Sequence, residues 1–257
     1  MALAALGLAS CNGKVPAPPS HKVEVQRAFQ EVLRSDPTVD TSVAGAVFAT
    51  TLTDVDSGKS TSSDMISNVI KLARGTTSVA TLNYQFFTHT TPDITGIDYL
   101  VSPTGPNKNN LNSPYYQSMS QENRYINFAV NLGTAGAGAA DFKAAFGSLS
   151  VPEATSKAYA EIYGVTPTEE KVVTLLNETV GKNADGTPQT REQNFSVYGK
   201  GDAQAIGTKA AIVGFLLSQA ASANQGVYAL SNTAFLSDIA KGSAKFGIDV
   251  IGKYNKK

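Results

Sequence analysis

An all-α fold is what this chain predicts: a compact multi-helix domain of short helix-turn-helix units, with no lattice-forming β-region. Three observations carry the prediction. Apolar residues recur at helical spacing through most of the chain, as in Val23, Ala28, Phe29, Val32 and Leu33. Strand-like alternation is scarce. Pro, Gly, Asn and Ser gather between the periodic segments, where helices stop.

The elements follow in order. A helix starts at His21 and ends before Pro37. Residues 50–63 are polar, contain Gly58 and read as a loop. Met65, Ile66, Val69, Ile70, Leu72 and Ala73 form the next helix, stopped near Gly75. Thr76 or Thr77 caps the following one, through Val79, Leu82, Phe86 and Phe87. Pro92 opens a short helix with Ile94, Ile97, Leu100 and Val101. Residues 102–113 hold Pro103, Gly105, Pro106 and four asparagines, a surface loop by its breakers. A long helix is expected from about Pro114 to Leu132, and further helices over 139–146, 152–163, 168–180, 202–222 and 231–253. Residues 181–200 read as a polar, Gly-containing loop and a candidate subdivision of the 21–257 domain. Gly- and Ala-rich faces allow helices to approach closely.

A faint repeat runs through these elements. Tyr84, Phe87, Thr91-Pro92 and Leu100 match Tyr159, Ile162, Thr166-Pro167 and Leu175 at an offset of 75. Each unit is a helix, a tight Thr-Pro turn and a second helix. Proline suits a first helical turn because its fixed φ is already helical. An internal repeat is one reading of the match; chance or simple helix-turn chemistry is the other.

Composition narrows the function classes. The 257 residues are 42% hydrophobic, enough for a real core. Lys plus Arg and Asp plus Glu number 21 each, and a nucleic-acid partner needs a net basic face instead. The charged fraction is only 16%, and Ser, Thr, Asn, Ala and Gly abound, as in exported surface proteins. No unbroken run of 18 apolar residues occurs.

The first twenty residues form a unit of their own, a lipoprotein-signal-like segment and a linker. Met1 to Ser10 is a short apolar run ending in Leu8-Ala9-Ser10-Cys11. This resembles the lipobox of bacterial lipoproteins, in which the cysteine takes a diacylglyceryl group, so lipidation at Cys11 is expected. Acyl chains add about 0.8 kcal/mol of membrane attachment per buried methylene. The run lacks the basic residues that open such leaders, which points to a start upstream of Met1; an apolar N-terminus with an isolated cysteine is the other reading. Asn12 is not the Asp that retains many lipoproteins in the inner membrane, so the outer membrane is favoured by analogy. Pro16, Pro18 and Pro19 make residues 12–20 an extended spacer.

Catalytic and metal chemistry find little support. The two histidines, His21 and His89, have no nucleophile in a recognisable frame. A zinc site needs three or four ligands, more than two His and one lipidated Cys supply. Gly58-Lys59-Ser60 lacks the glycine a phosphate loop requires five positions earlier, where Thr53 stands. Ca2+ is a weak expectation. Asn183, Asp185, Gly186 and Glu192 fall at positions three, five, six and twelve of an EF-hand-like loop, but Gly181 at position one offers no carboxylate and Pro188 sits at position eight. Asp54 and Asp56 are two more carboxylates in a polar stretch.

The most informative stretch is Val79-Ala-Thr-Leu-Asn-Tyr84-Gln-Phe-Phe87, Thr91-Pro92, Gly96-Ile-Asp-Tyr99-Leu-Val101, Asn109 to Tyr116, Gln121-Glu-Asn-Arg124-Tyr-Ile-Asn127-Phe and Asn131-Leu, closing on Gly133 to Ala140. It resembles the N-terminal anchoring region of the Caulobacter-type S-layer protein, densely from about Val79 to Tyr163. That resemblance implies an α-helical, non-enzymatic domain that binds the O-polysaccharide of lipopolysaccharide. The Gly-rich calcium repeats of that family's lattice region are absent from this sequence.

Sugars present hydroxyls in fixed directions and flat C–H faces, which amides, carboxylates and guanidinium groups meet by hydrogen bonds and aromatic rings by stacking. Asn112, Tyr115, Tyr116, Gln121, Asn123, Arg124 and Asn127 supply this mixture. As one helix, Tyr116, Asn123 and Asn127 would share a face, and Gln121, Arg124 and Tyr125 would share one turn. The opposing reading makes the aromatics core and the polar groups partners of the backbone. The expected protein is a surface lipoprotein of the outer membrane, or a secreted one, that binds O-antigen. The alternative is a protein-interaction module of an envelope or secretion assembly. An enzyme acting on polysaccharide would need a carboxylate pair across a cleft, and none stands out.

Overall fold

The computed structural model describes residues 20–39 and 43–255. Cys11 and most of the proline linker lie outside the described residues. Regular structure is almost entirely helical: fourteen helices and one two-stranded sheet among the described residues.

The core is organised around α12 (Ile206–Ala223), whose residues are buried on nearly every side. By length and composition this helix could cross a membrane, yet 83% of it is buried inside the fold, as befits a central helix that is apolar all round. Helix α7 (Gln121–Thr134) lies along it, and α9 (Val151–Tyr163), α4 (Thr77–Thr88) and α13 (Gly226–Ala240) pack around the pair. Gly214 makes the closest approach. A Cβ there would stand 2.7 Å from both Ile126 Cα and Tyr125 O, so the α7 and α12 backbones touch where a side chain would be. Helix α1 (Lys22–Leu33) packs on α13, on α2 (Val43–Asp56) and on α3 (Ser62–Ala73). One apolar cluster runs from Val25 to Val250.

Several boundaries differ from the sequence reading. Residues 50–56 continue a helix rather than a loop, because Phe48, Leu52 and Val55 form a stripe that packs inward and Phe48 meets Phe29 edge-on at 5.5 Å. The long helix expected from Pro114 is two: α6 (Pro114–Gln117) and α7. Ser120 is extended, and its hydroxyl accepts from Asn123 N at 3.2 Å, so it starts a new helix instead of continuing one. Helix α10 (Glu169–Asn177) ends earlier than expected, and α12 begins at Ile206 rather than 202. The 231–253 segment is α13 plus α14 (Val250–Tyr254), split by Lys241 to Asp249. The expected 181–200 loop holds strand β2 (Pro188–Thr190), helix α11 (Arg191–Phe195) and a 3-10 turn (Ser196–Gly199). Strand β1 (Thr179–Lys182) pairs antiparallel with β2. Arg191 holds this corner down, with its guanidinium 3.8 Å from the Phe215 ring centre and bonded to Glu178.

The repeat has a structural counterpart. Helices α4 and α5 (Ile94–Val101) and helices α9 and α10 occupy corresponding positions at the offset of 75. Ile97 and Val172, and Val101 and Leu176, are buried in register. The turns differ. Thr91 is buried, bonding Gly247 N at 3.0 Å and Ile248 O through its own N–H at 2.9 Å, whereas Thr166 is exposed.

Gly214→Val places atoms against backbone that cannot yield, and should lower stability by roughly 3 kcal/mol in chemical denaturation. Wild-type stability in that variant would refute the close contact. Carboxylates bonded near helix starts add a pH dependence. Asp64 is held below its ordinary pKa by the Thr61 hydroxyl, Glu153 by the Ser150 hydroxyl and Asp202 by the Gln204 backbone N–H. A depressed folded pKa means their contribution is fully present above the unfolded value of about 4, and is lost as pH falls through the folded values. All three are exposed, so the loss is modest. Acid titration of helix content should show it below about pH 4, and removing Thr61 and Ser150 hydroxyls should flatten it.

Candidate functional site

The residues singled out by sequence lie on α6, α7 and the loop before them, and the fold divides them into two groups. One group faces inward or is tied to the frame. Tyr125 is fully buried, and its hydroxyl donates to Arg74 O at 3.0 Å; burial pushes its phenol well above its ordinary pKa. Arg124 is half-buried beside it. Its Nη1 donates to Gly75 O at 2.9 Å, and Nε and Nη2 donate to Met119 O at 3.3 and 3.2 Å. Burial lowers its pKa. Gln121 Nε2 donates to Ser222 Oγ on α12 at 2.8 Å, and Asn112 Nδ2 to Val101 O at 2.7 Å. These side chains bind polypeptide.

The second group faces outward. Asn123, Asn127, Asn131 and Thr134 fall within about 80° of one another around α7 at 100° per residue. Asn123, Asn131 and Thr134 are exposed, and Asn127 is half-buried. Asn127 Oδ1 accepts the Tyr116 hydroxyl at 2.8 Å and Asn131 Nδ2 at 3.3 Å. Its own Nδ2, the Asn131 Oδ1 and the whole Asn123 amide have no partner among the described residues. Tyr116 is buried to 9% exposure, and burial raises its pKa. Tyr115 packs edge-on against it at 5.1 Å and stays 53% exposed. Because the helix breaks at Ser118–Ser120, Tyr116 reaches Asn127 across the α6–α7 corner and not along one helical face.

Asn131 and Thr134 share the outward strip with Asn123 and Asn127; Asn123, Asn127 and Asn131 stand at i, i+4 and i+8 in the sequence. The remaining candidates are accounted for locally. His21 bonds Asp56, through its backbone N–H at 2.7 Å and its ring Nδ1 at 3.1 Å. His89 ends α4 in the left-handed conformation. Asp54 pairs with Lys59 at 3.0 Å. Asn183 to Thr187 form the β1–β2 turn, in which Asp185 accepts from Thr187 N at 3.0 Å and Thr187 Oγ1 at 2.7 Å. No group of three or more His, Cys, Asp or Glu side chains gathers as a metal site among the described residues.

The fold is thus one block of packed helices with a polar and aromatic strip on an outer face. A family model described as the RsaA N-terminal domain matches residues 76–257, most of the chain, and the chain belongs to that family. The match runs well past Tyr163, where the quoted resemblance thins. The domain is the anchoring region of an S-layer protein, from a structural and non-enzymatic family, which places the chain at the cell surface or outside the cell. No curated protein sequence matches it.

The division of residues is testable through stability. Arg124→Met removes the bonds to Gly75 and Met119 and should cost about 2 kcal/mol, the scale of hydrogen bonds to a charged group. Tyr115→Ala, on an exposed ring, should leave the denaturation midpoint within error. The reverse order of effects would overturn the assignment of Arg124 to the frame.

Proposed function

We propose that this domain binds polysaccharide, namely the O-antigen of lipopolysaccharide, and so anchors its protein to the outer membrane surface. The observation that supports this best is the outward strip of α7: three amides in line, two of them with open donors, beside the Tyr115–Tyr116 pair. Amides meet sugar hydroxyls in both donor and acceptor senses, and the Tyr115 ring offers a face to sugar C–H groups. Contacts of this kind are shallow, so affinity comes from several sugar units held at once. In this reading a lipid on Cys11 tethers the chain, residues 1–20 carry the signal and spacer, and residues 21–257 form the binding domain. Asn112, Gln121 and Arg124 contribute by shaping the α6–α7 corner, Tyr116 by holding Asn127 in place from below, and Tyr115, Asn123 and Asn127 by contact.

Purified protein should bind cells bearing smooth lipopolysaccharide and not rough mutants. Tyr115→Ala and Asn123→Ala should each weaken binding about tenfold, or ~1.4 kcal/mol, without loss of fold. Equal binding to smooth and rough cells would reject the reading, and co-purification of an envelope protein with indifference to sugar would replace it by the protein-interaction module. Mass spectrometry of the mature N-terminus decides lipidation of Cys11 separately.

A further inference from the structure

The α7 strip runs into a cavity. Beyond Asn131, Thr134 forms one edge of a cleft of about 500 Å³ between the end of α7, α8 (Ala139–Phe146), the 3-10 turn and the first turn of α12. This lies within the usual size of small-ligand clefts. Its walls are unlike the flat strip. Tyr198, 44% exposed, lines it together with Ala140 and Lys143. Asp202 also lines it, its carboxylate fixed by Gln204 N at 3.0 Å and Ile206 N at 2.9 Å. The Lys143 ammonium makes no hydrogen bond or ion pair among the described residues. Gly207 lets the 3-10 turn sit directly on α12, because a Cβ there would collide with the Tyr198 carbonyl. The aromatic wall is therefore held by backbone contact.

We propose that this cavity is a second subsite for the same glycan, taking one pyranose ring with its C–H face on Tyr198 and its acceptor oxygens toward Lys143. The inference rests on the reading of α7 as a polysaccharide strip. Asn123 and Thr134 are eleven residues apart, a span of about 16 Å along the helix. One glycan chain lying along α7 thus reaches the cavity without turning a corner. The strip supplies shallow contacts, and the cleft at its end adds a concave surface of about 500 Å³. Lys143 donates and Asp202 accepts, so a ring with hydroxyls on both edges is matched by groups of both senses.

The test uses the full chain and O-polysaccharide released from smooth lipopolysaccharide, with calorimetric titration as the readout. Ala140→Trp fills the cavity mouth, and Tyr198→Ala removes its aromatic wall. Each should weaken binding about tenfold at an unchanged thermal midpoint. Should Ala140→Trp fail to fold, Tyr198→Ala decides alone. Wild-type affinity in the folded cavity variants, with binding lost in Tyr115→Ala, overturns the cavity and leaves the strip intact. Loss confined to the cavity variants removes the strip and overturns the cavity as a second subsite on one glycan path. A wild-type protein that ignores the polysaccharide overturns both.

Discussion

The backbone contact between α7 and α12 fixes almost everything else on the outer face. At Gly214 there is no side chain between the helices, so α7 can neither roll nor slide without driving Tyr125 O or Ile126 Cα into α12. Tyr125 and Arg124 add a second constraint by bonding Arg74 O and Gly75 O, the backbone just before α4. With its inner side held at two places, α7 has one orientation. The direction of Asn123, Asn127 and Asn131 is then a consequence of what lies on the opposite face.

Helix class and most helix positions were legible because apolar spacing is strong wherever a helix buries a stripe. Helix α2 was not, because Thr50, Thr51, Thr53 and Asp54 look like loop residues, and only Phe48, Leu52 and Val55 report its buried side. The Ser118–Ser120 break was not either: serine competes with the helix by capping a new one, and nothing local says which choice wins. The site shows the same limit more sharply. Asn112, Gln121, Arg124 and Asn123 all offer N–H donors to a sugar hydroxyl. What separates them is partners: Val101 is 11 residues from Asn112, Gly75 is 49 from Arg124 and Ser222 is 101 from Gln121. Sequence names the groups that can bond, and tertiary packing decides which have already done so.

The two helix-turn-helix units make this point from another side. Helices α4 and α9 both lie against α12 and α13, and their paired residues Phe87 and Ile162 are both buried. The local chemistry of a Thr-Pro turn serves both. Yet Thr91 is clamped under the C-terminal segment by Gly247 and Ile248, while Thr166 meets solvent. A repeated local unit acquires separate duties once its surroundings differ. For this reason the 75-residue match locates helices well and says nothing of which copy carries a given contact.

Polysaccharide binding as proposed, through shallow contacts, sets a demand on the scaffold. Each sugar hydrogen bond replaces bonds to water and nets only about 1 kcal/mol, so ordering costs on the protein side can cancel it. A strip of long side chains would lose rotamer freedom at every contact, on the order of 2 kcal/mol for Lys or Arg. Asparagine is short. Here the Tyr116 hydroxyl, Asn127 and Asn131 are already linked in one chain of hydrogen bonds, so part of the ordering is complete before any ligand arrives. The same linkage leaves Nδ2 of Asn127 and Oδ1 of Asn131 pointing to opposite hydrogen-bonding roles on one face. Rigid helices, short amides and a pre-formed network are three expressions of one requirement: weak contacts add up only when nothing has to move to make them.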